Sequence, residues 1–354
     1  MPDSMRHRLL GRSGLRVAEL SLGTMTFGPG HASGTTKDEA RRIFDAYVAR
    51  GGTFIDTANR YTGGTSEEWV GEFVASERER FVVATKYTLT TRPGDPNSAG
   101  NSRKNLTQSL DASLKRLKME YVDLFWIHAW DSLTPVDEVM RALDDAVRAG
   151  KVLYVGASDT PAWVVSRANT MADLRGWSPF VALQVEYSLI QRTTEREFLP
   201  MARALDLSVL AWSPLAGGAL SAKYLDGRPE QRGDRARLPQ TSVRLNERNV
   251  AIARETKAVG DAIGRSPSQV AIAWLRQRPT PVIPILGART VAQIEDTLGA
   301  LDLVLDDEQM RRLDAVSAID LGFPHEFLAS PQGTSMLYAD TLPLLLDRDR
   351  LPAR

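Results

Sequence analysis

Residues 51–61 read GGTFIDTANRY, and the fold follows from how this stretch is read. Positions 53–56 form a short run rich in β-forming residues. They follow an amphipathic helical pattern and a Gly51-Gly52 break, so they read as a buried strand of a βα repeat. Asp56 closes that strand. Tyr61 comes five residues later, in a loop with Asn59, Gly63 and Gly64. A carboxylate at a strand end with a tyrosine just beyond it is where an α/β enzyme keeps its chemistry. Two later strand patterns also end on reactive residues: FVVATK on Lys86 and YVDLFWIH on His128.

Outward from this stretch the same unit recurs. Strand patterns occupy 20–23, 53–56, 81–85, 122–127, 152–157, 181–185, 207–211 and 282–286, with helical periodicity between them. Helix starts are marked by Thr36 with Glu39 and by Ser266-Pro267 with Gln269, both read as capping boxes, and by Thr134-Pro135 and Thr160-Pro161. Gly11 and Gly14 supply the turn of a small hairpin over 8–17. A polar insertion spans roughly 216–246. A helix at 306–316 is an addition to the repeat, and the tail from 318 reads as irregular. Eight βα units argue for a (β/α)8 TIM barrel over 20–301, preceded by the hairpin and followed by a C-terminal helix and tail over 302–354. The whole of 1–354 is then one domain. The rival is an open doubly wound sheet, but its GxGxxG fingerprint is missing: only Gly28 and Gly30 have even its first spacing.

Composition narrows the chemistry. The 354 residues carry 44 basic and 44 acidic side chains, so net charge is zero and no basic run points to nucleic acid. There is no cysteine, which excludes disulfides, thiolate nucleophiles and cysteine-bound metals. The four histidines include no HExxH pair, so no metal site is expected. No apolar run approaches the roughly 18 residues of a membrane span, and the first residues lack a signal-like core. The expectation is a soluble, cytoplasmic protein without a membrane partner; the sequence leaves its oligomeric state open.

Strand parity places the reactive side chains together. Asp56 shares a face with Phe54, Lys86 with Ala84 and Val82, and His128 with Trp126 and Leu124. In a barrel these faces meet at the C-terminal mouth, with Tyr61 hanging over them. Taken singly, the Asp could be a turn cap, the Lys a solvated strand end and the His a hydrogen-bonded core residue. Together they form a proton-donating site with no metal and no covalent nucleophile. The tyrosine pKa of about 10 is too high for an efficient acid near neutrality, a nearby ammonium lowers it, and a carboxylate keeps a buried ammonium charged. His128 can orient a substrate oxygen. Reduction of a carbonyl needs such a donor and a hydride source. A barrel lyase using Lys86 as a Schiff base is the alternative from another class.

The blocks GGTFIDTANRY, VVATKY, DLFWIH, YVGASD, LQVEYSL, AWSPLAGGAL and PILGARTVAQIEDTL run in order along nearly the whole chain. In them the sequence resembles the aldo-keto reductase superfamily, and within it the branch of aryl-alcohol dehydrogenases and potassium-channel β subunits. The resemblance implies a (β/α)8 barrel that binds NADP(H) in extended form, reduces an aldehyde or ketone, and uses Asp56, Tyr61, Lys86 and His128 as its tetrad with the tyrosine as general acid-base. It implies a nicotinamide held by Ser158 and Gln184 and stacked on Trp212. Gly23, Thr24, Met25 and Asp56 belong to the same end of the cofactor site. Ser213, Pro214, Leu215, Gly217 and Lys223 match a pyrophosphate clasp, and Gly287, Arg289, Gln293 and Asp296 match the adenosine end. Arg289 can fork onto a 2′-phosphate, which favours NADP over NAD. Asp159 and Thr297 stand where many relatives have Asn. Phe27, Tyr87 and Trp130 are the expected substrate walls, with the tail around Phe323 across the mouth. A regulatory subunit of channel-β type, with little turnover, is the rival reading; against it, few residues precede the hairpin, so no long N-terminal effector segment is expected.

Overall fold

A computed structural model describes residues 5–29, 34–225, 238–239, 241–339 and 341–344. The central part of the expected insertion, 226–237 with 240, lies outside the described residues, as do Gly30 and the last ten residues of the tail.

A two-stranded antiparallel hairpin, β1 (His7–Leu9) and β2 (Arg16–Ala18), precedes eight parallel strands that close into a barrel. These are β3 (Ser21–Gly23), β4 (Phe54–Asp56), β5 (Val82–Tyr87), β6 (Val122–Ile127), β7 (Val152–Ser158), β8 (Phe180–Glu186), β9 (Ser208–Trp212) and β10 (Val282–Gly287). They pair in chain order, and β10 closes on β3. The eight expected strands are therefore present, as the expected TIM barrel. Parallel strands wrapped by helices are buried on both faces, which is why they read as near-continuous apolar runs rather than as alternation. Register aligns the reactive ends: Asp56 stands opposite Ala84, Lys86 opposite Trp126, and Ser158 opposite Gln184. Gly156 makes room for Trp126 inside the barrel, because a Cβ there would lie 2.3 Å from the indole ring.

The hairpin plugs the opposite end. Gly11 takes φ +54°, and a Cβ on it would lie 2.2 Å from the Val181 carbonyl oxygen. Its N–H donates to Ser208 Oγ at 2.7 Å. Only glycine meets both demands.

Helices α1 (Lys37–Ala49), α2 (Thr65–Val74), α3 (Arg103–Leu117), α4 (Val136–Arg148), α5 (Ala162–Arg175), α6 (Phe198–Ala204), α7 (Glu247–Ile263), α8 (Pro267–Arg276) and α9 (Val291–Leu298) surround the barrel, and α10 (Asp307–Ser317) is the addition. Several start signals work differently from their reading. Thr36 accepts from the Glu39 N–H, but the Glu39 carboxylate turns away to accept from Val291 N at 2.8 Å, tying α1 to α9. Ser266 caps α8, while the Gln269 amide donates to Asp296. Tertiary partners thus capture the side chains that would have closed both boxes. A reciprocal box does form at Asp306 and Gln309. At α4 and α5 the proline itself occupies the cap position. Thr134 donates instead to Asp131, and Thr160 to the Ser158 carbonyl.

The tail is not irregular throughout. It folds α11 (His325–Ala329) and α12 (Pro331–Tyr338), the latter capped by Ser330, the same Ser-Pro signal that opens α8. Among the described residues, no helix is long and apolar enough to cross a membrane.

Candidate active site

The C-terminal ends of the barrel strands surround a cavity of about 650 Å³. Its chemistry begins with Lys86, which is fully buried and points inward from β5. Its ammonium donates to Asp56 Oδ2 at 2.5 Å, to the Thr57 carbonyl at 2.9 Å and to the Tyr61 hydroxyl at 2.9 Å. All three N–H groups are therefore engaged, an arrangement suited to a fixed charge and unsuited to a Schiff-base amine. Asp56 is also buried, and its second oxygen accepts from Gln184 Nε2 at 2.8 Å. Tyr61 begins a 3-10 turn (Tyr61–Gly64), and its ring meets the His128 ring edge to face at 5.8 Å.

The electrostatics correct one expectation. Burial is the largest influence on Tyr61 and pushes its pKa up; the Lys86 ammonium opposes this, and the nearby Asp56 charge partly cancels that opposition. The net direction is upward, so the phenol is held protonated through neutral pH rather than poised for ionisation. Burial would lower the Lys86 pKa, but Asp56 and Tyr61 outweigh it and the ammonium stays charged. Burial, with Lys86 and Arg60 adding repulsion, pushes His128 down to about 3, so the imidazole is neutral. A protonated phenol anchored to a cation, beside a neutral imidazole, is a set of donors suited to an oxygen that gains negative charge. His128 Nδ1, Trp126 Nε1 and both amide atoms of Asn59 are buried without a hydrogen-bond partner among the described residues, which makes them natural partners for ordered water.

The remaining expected residues sort by place. Gly23, Met25 and Asp56 border the cavity where β3 and β4 end, and Ser158 and Gln184 border it where β7 and β8 end. Thr24 does not: it is fully buried, its hydroxyl donating to the Asp56 carbonyl and accepting from Ser66. Trp212 borders the cavity, and its indole N–H donates to Asp159 Oδ1 at 3.0 Å. The Asp159 position thus binds the aromatic wall.

Beyond Trp212, the walls include Ser213, Pro214, Leu215, Gly217 and Lys223. The backbone here is unusual: Ser213, Ala216, Gly217 and Gly218 all have positive φ. A Cβ on Gly217 would meet Leu238 and Arg244, and one on Gly218 would meet the Lys223 ammonium at 2.7 Å. Such a turn bares backbone toward the cavity with a lysine over it, the features of an anion site. Gly287, Arg289, Gln293 and Asp296 continue the wall into the N-terminus of α9. Thr297 reaches it too, though its hydroxyl is spent on α9 carbonyls. This set fits an extended, phosphate-bearing dinucleotide.

The expected substrate walls do not border this cavity. Tyr87 is fully buried and stacks on Phe125 at 5.2 Å; because Lys86 faces inward, the next residue must face out. Phe27 is fully buried against Phe73. Trp130 is half-buried against the apolar core and does not border the cavity. Phe323 lies beside Arg196 and Glu197, does not border this cavity, and is 85% exposed. The mouth is bordered instead by Arg60, Thr62 and Leu89 near the tetrad, and by Ser268 and Ile272 from α8. Arg60 stood in the opening motif, immediately before Tyr61. Ser268 and Ile272 carry only an i, i+4 spacing that any packed helix shows. Arg244, which donates to Ser213 Oγ at 3.3 Å and pairs with Glu186, had no sequence signal.

Residues 19–318 match the aldo/keto reductase family model. The chain is 39% identical over 339 residues to a norsolorinic acid reductase of Emericella nidulans, covering 92% of this chain and 85% of that protein. It is 37% identical over 341 residues to an aryl-alcohol dehydrogenase [NADP(+)] of Phanerodontia chrysosporium, covering 90% and 88%. An aldo-keto reductase of Aspergillus calidoustus is 35% identical over 356 residues, covering 94% and 87%. With the barrel, the cavity and these matches in place, the chain belongs to the aldo/keto reductase family, in the branch of the aryl-alcohol dehydrogenases and norsolorinic acid reductases.

Proposed function

We propose that this protein is an NADP(H)-dependent reductase of aromatic aldehydes or ketones, with Tyr61 as general acid. The observation that carries the reading is Lys86, whose ammonium joins Asp56 and the Tyr61 hydroxyl at the cavity floor. NADPH, when bound, supplies the hydride. The protein's own groups do the rest. Tyr61 donates its proton to the carbonyl oxygen, and Lys86 stabilises the phenolate left behind. Asp56 keeps Lys86 charged. His128, being neutral, offers one N–H to the same oxygen and fixes its position. Ser158 and Gln184 hold the carboxamide; with Gln184 Nε2 engaged by Asp56, its oxygen is the acceptor left for an amide N–H. Lys223 and the 213–218 turn take the pyrophosphate, and Arg289 the 2′-phosphate. The aromatic preference rests on the relatives, whose names specify aryl alcohols and norsolorinic acid.

The test is deuterium transfer. Incubation with NADPH carrying deuterium at both C4 positions of the nicotinamide and a panel of aromatic aldehydes should yield benzylic alcohols with one deuterium on the former carbonyl carbon. Oxidation of NADPH without deuterium in an alcohol product would overturn the reading.

A further inference from the structure

The mouth of the cavity next to the tetrad holds a charge that the reaction does not use. Arg60 precedes Tyr61, borders the cavity and remains exposed. Its backbone is held on both sides. Asn59 N–H donates to the Lys86 carbonyl at 3.2 Å, Gly63 N–H donates to the Arg60 carbonyl at 3.2 Å, and Thr62 Oγ1 donates to the Phe27 carbonyl at 2.6 Å. The side chain has no hydrogen-bond or ion-pair partner among the described residues. Its charge is nevertheless felt at His128.

The other charged side chains bordering the cavity are Asp56, Asp159, Lys223, Arg289 and Asp296. Asp56 and Lys86 neutralise each other. Asp159 is engaged by the Trp212 indole, toward β9. Lys223 and Arg289 follow β9 and β10, at the end assigned to phosphates. A substrate carbonyl against Tyr61 and His128 would therefore project its far end past Leu89 toward one unneutralised guanidinium. Arginine presents a planar fork that matches a carboxylate, and the low-dielectric walls of a cleft strengthen the pairing over an open surface.

We propose that Arg60 is a specificity-determining residue that selects carbonyl substrates bearing a carboxylate on the ring or chain remote from the reacting carbon. This rests on the reductase reading above and deepens it: the substrate is an anionic aryl or alkyl carbonyl. Arg60 touches the substrate's anionic group and takes no part in proton transfer, so its effect falls on KM more than on kcat.

The experiment compares 3- and 4-carboxybenzaldehyde with their methyl esters at fixed ionic strength, in wild type and Arg60→Met. Wild type should favour at least one carboxylate over its ester in kcat/KM by about fivefold or more, and the ratio should shrink with added salt. In Arg60→Met the ratio should fall to within about twofold of unity, mainly through a higher KM for the carboxylate. Arg60 is exposed and unpaired, so the variant should fold. Calorimetric titration of the same compounds into cofactor-loaded protein reads the ratio in binding, without turnover. If neither aldehyde is reduced, the reductase reading fails, and the binding ratio still decides on Arg60. A wild-type ratio near one by both measures, or one that persists in Arg60→Met, overturns the proposal.

Discussion

At the scale of single residues, the proposal depends on which charges survive burial. Lys86 survives because three acceptors take its three N–H groups, and one of them is a carboxylate. The sequence showed that Lys86 and Tyr61 meet, through strand parity and loop length. It did not show the sign of their compromise, since that depends on how deeply the phenol is buried, and burial is a property of the whole fold. Arg289 can be tested at the same scale. A charge-assisted fork onto a 2′-phosphate contributes roughly 1.5–3 kcal/mol. Wild type should bind NADPH at least about tenfold more tightly than NADH. Arg289→Ala should remove most of that preference and weaken NADH little, because NADH lacks the group concerned. Tryptophan fluorescence titrations of both cofactors check this; equal losses for both would take Arg289 out of the role.

Among the elements, β5 shows how alternation serves site and scaffold together. Lys86 faces the barrel interior, where it meets Asp56 and Tyr61. Thr85 faces outward, donating to Glu67 Oε1 of α2 at 2.5 Å, and Arg116 of α3 donates to Glu67 Oε2 at 2.6 Å. The Arg116 side chain also lies where a Cβ on Gly64 would fall, against the loop that carries Tyr61. Glu67 is fully buried, so removing its guanidinium leaves an uncompensated carboxylate. Arg116→Ala should lower stability by roughly 2–4 kcal/mol, the lower end reflecting the partial exposure of Arg116. Urea unfolding gives the number, and a loss under about 0.5 kcal/mol would mean the pair is only a surface contact. The positions of the eight strands were legible because parallel buried strands leave continuous apolar runs between turn residues. The caps Thr36 and Ser266 were legible from local spacing, but the reciprocal half of each box was not. Glu39 and Gln269 were claimed by Val291 and Asp296 from across the fold, and local spacing could not reveal that. The tail around Phe323 was expected across the mouth but does not border the cavity, since where an apolar side chain docks is a tertiary question.

For the whole molecule, the barrel puts its reactive side chains at the mouth, while the hairpin closes the other end through Gly11. Residues distant in the chain, Asp56 and Gln184, meet in one hydrogen bond because strand ends lie level around the mouth. The site as a whole therefore stands or falls with one proton donor. The most direct measurement is the single-turnover rate of NADPH oxidation by an aromatic aldehyde, in wild type and in Tyr61→Phe, with NADPH affinity measured alongside. Removal of the phenol proton should slow the rate by at least about a hundredfold, the scale of general acid catalysis, while NADPH affinity stays within about twofold. A Tyr61→Phe protein that folds, binds NADPH and turns over within about threefold of wild type would contradict the assignment of Tyr61 as the acid.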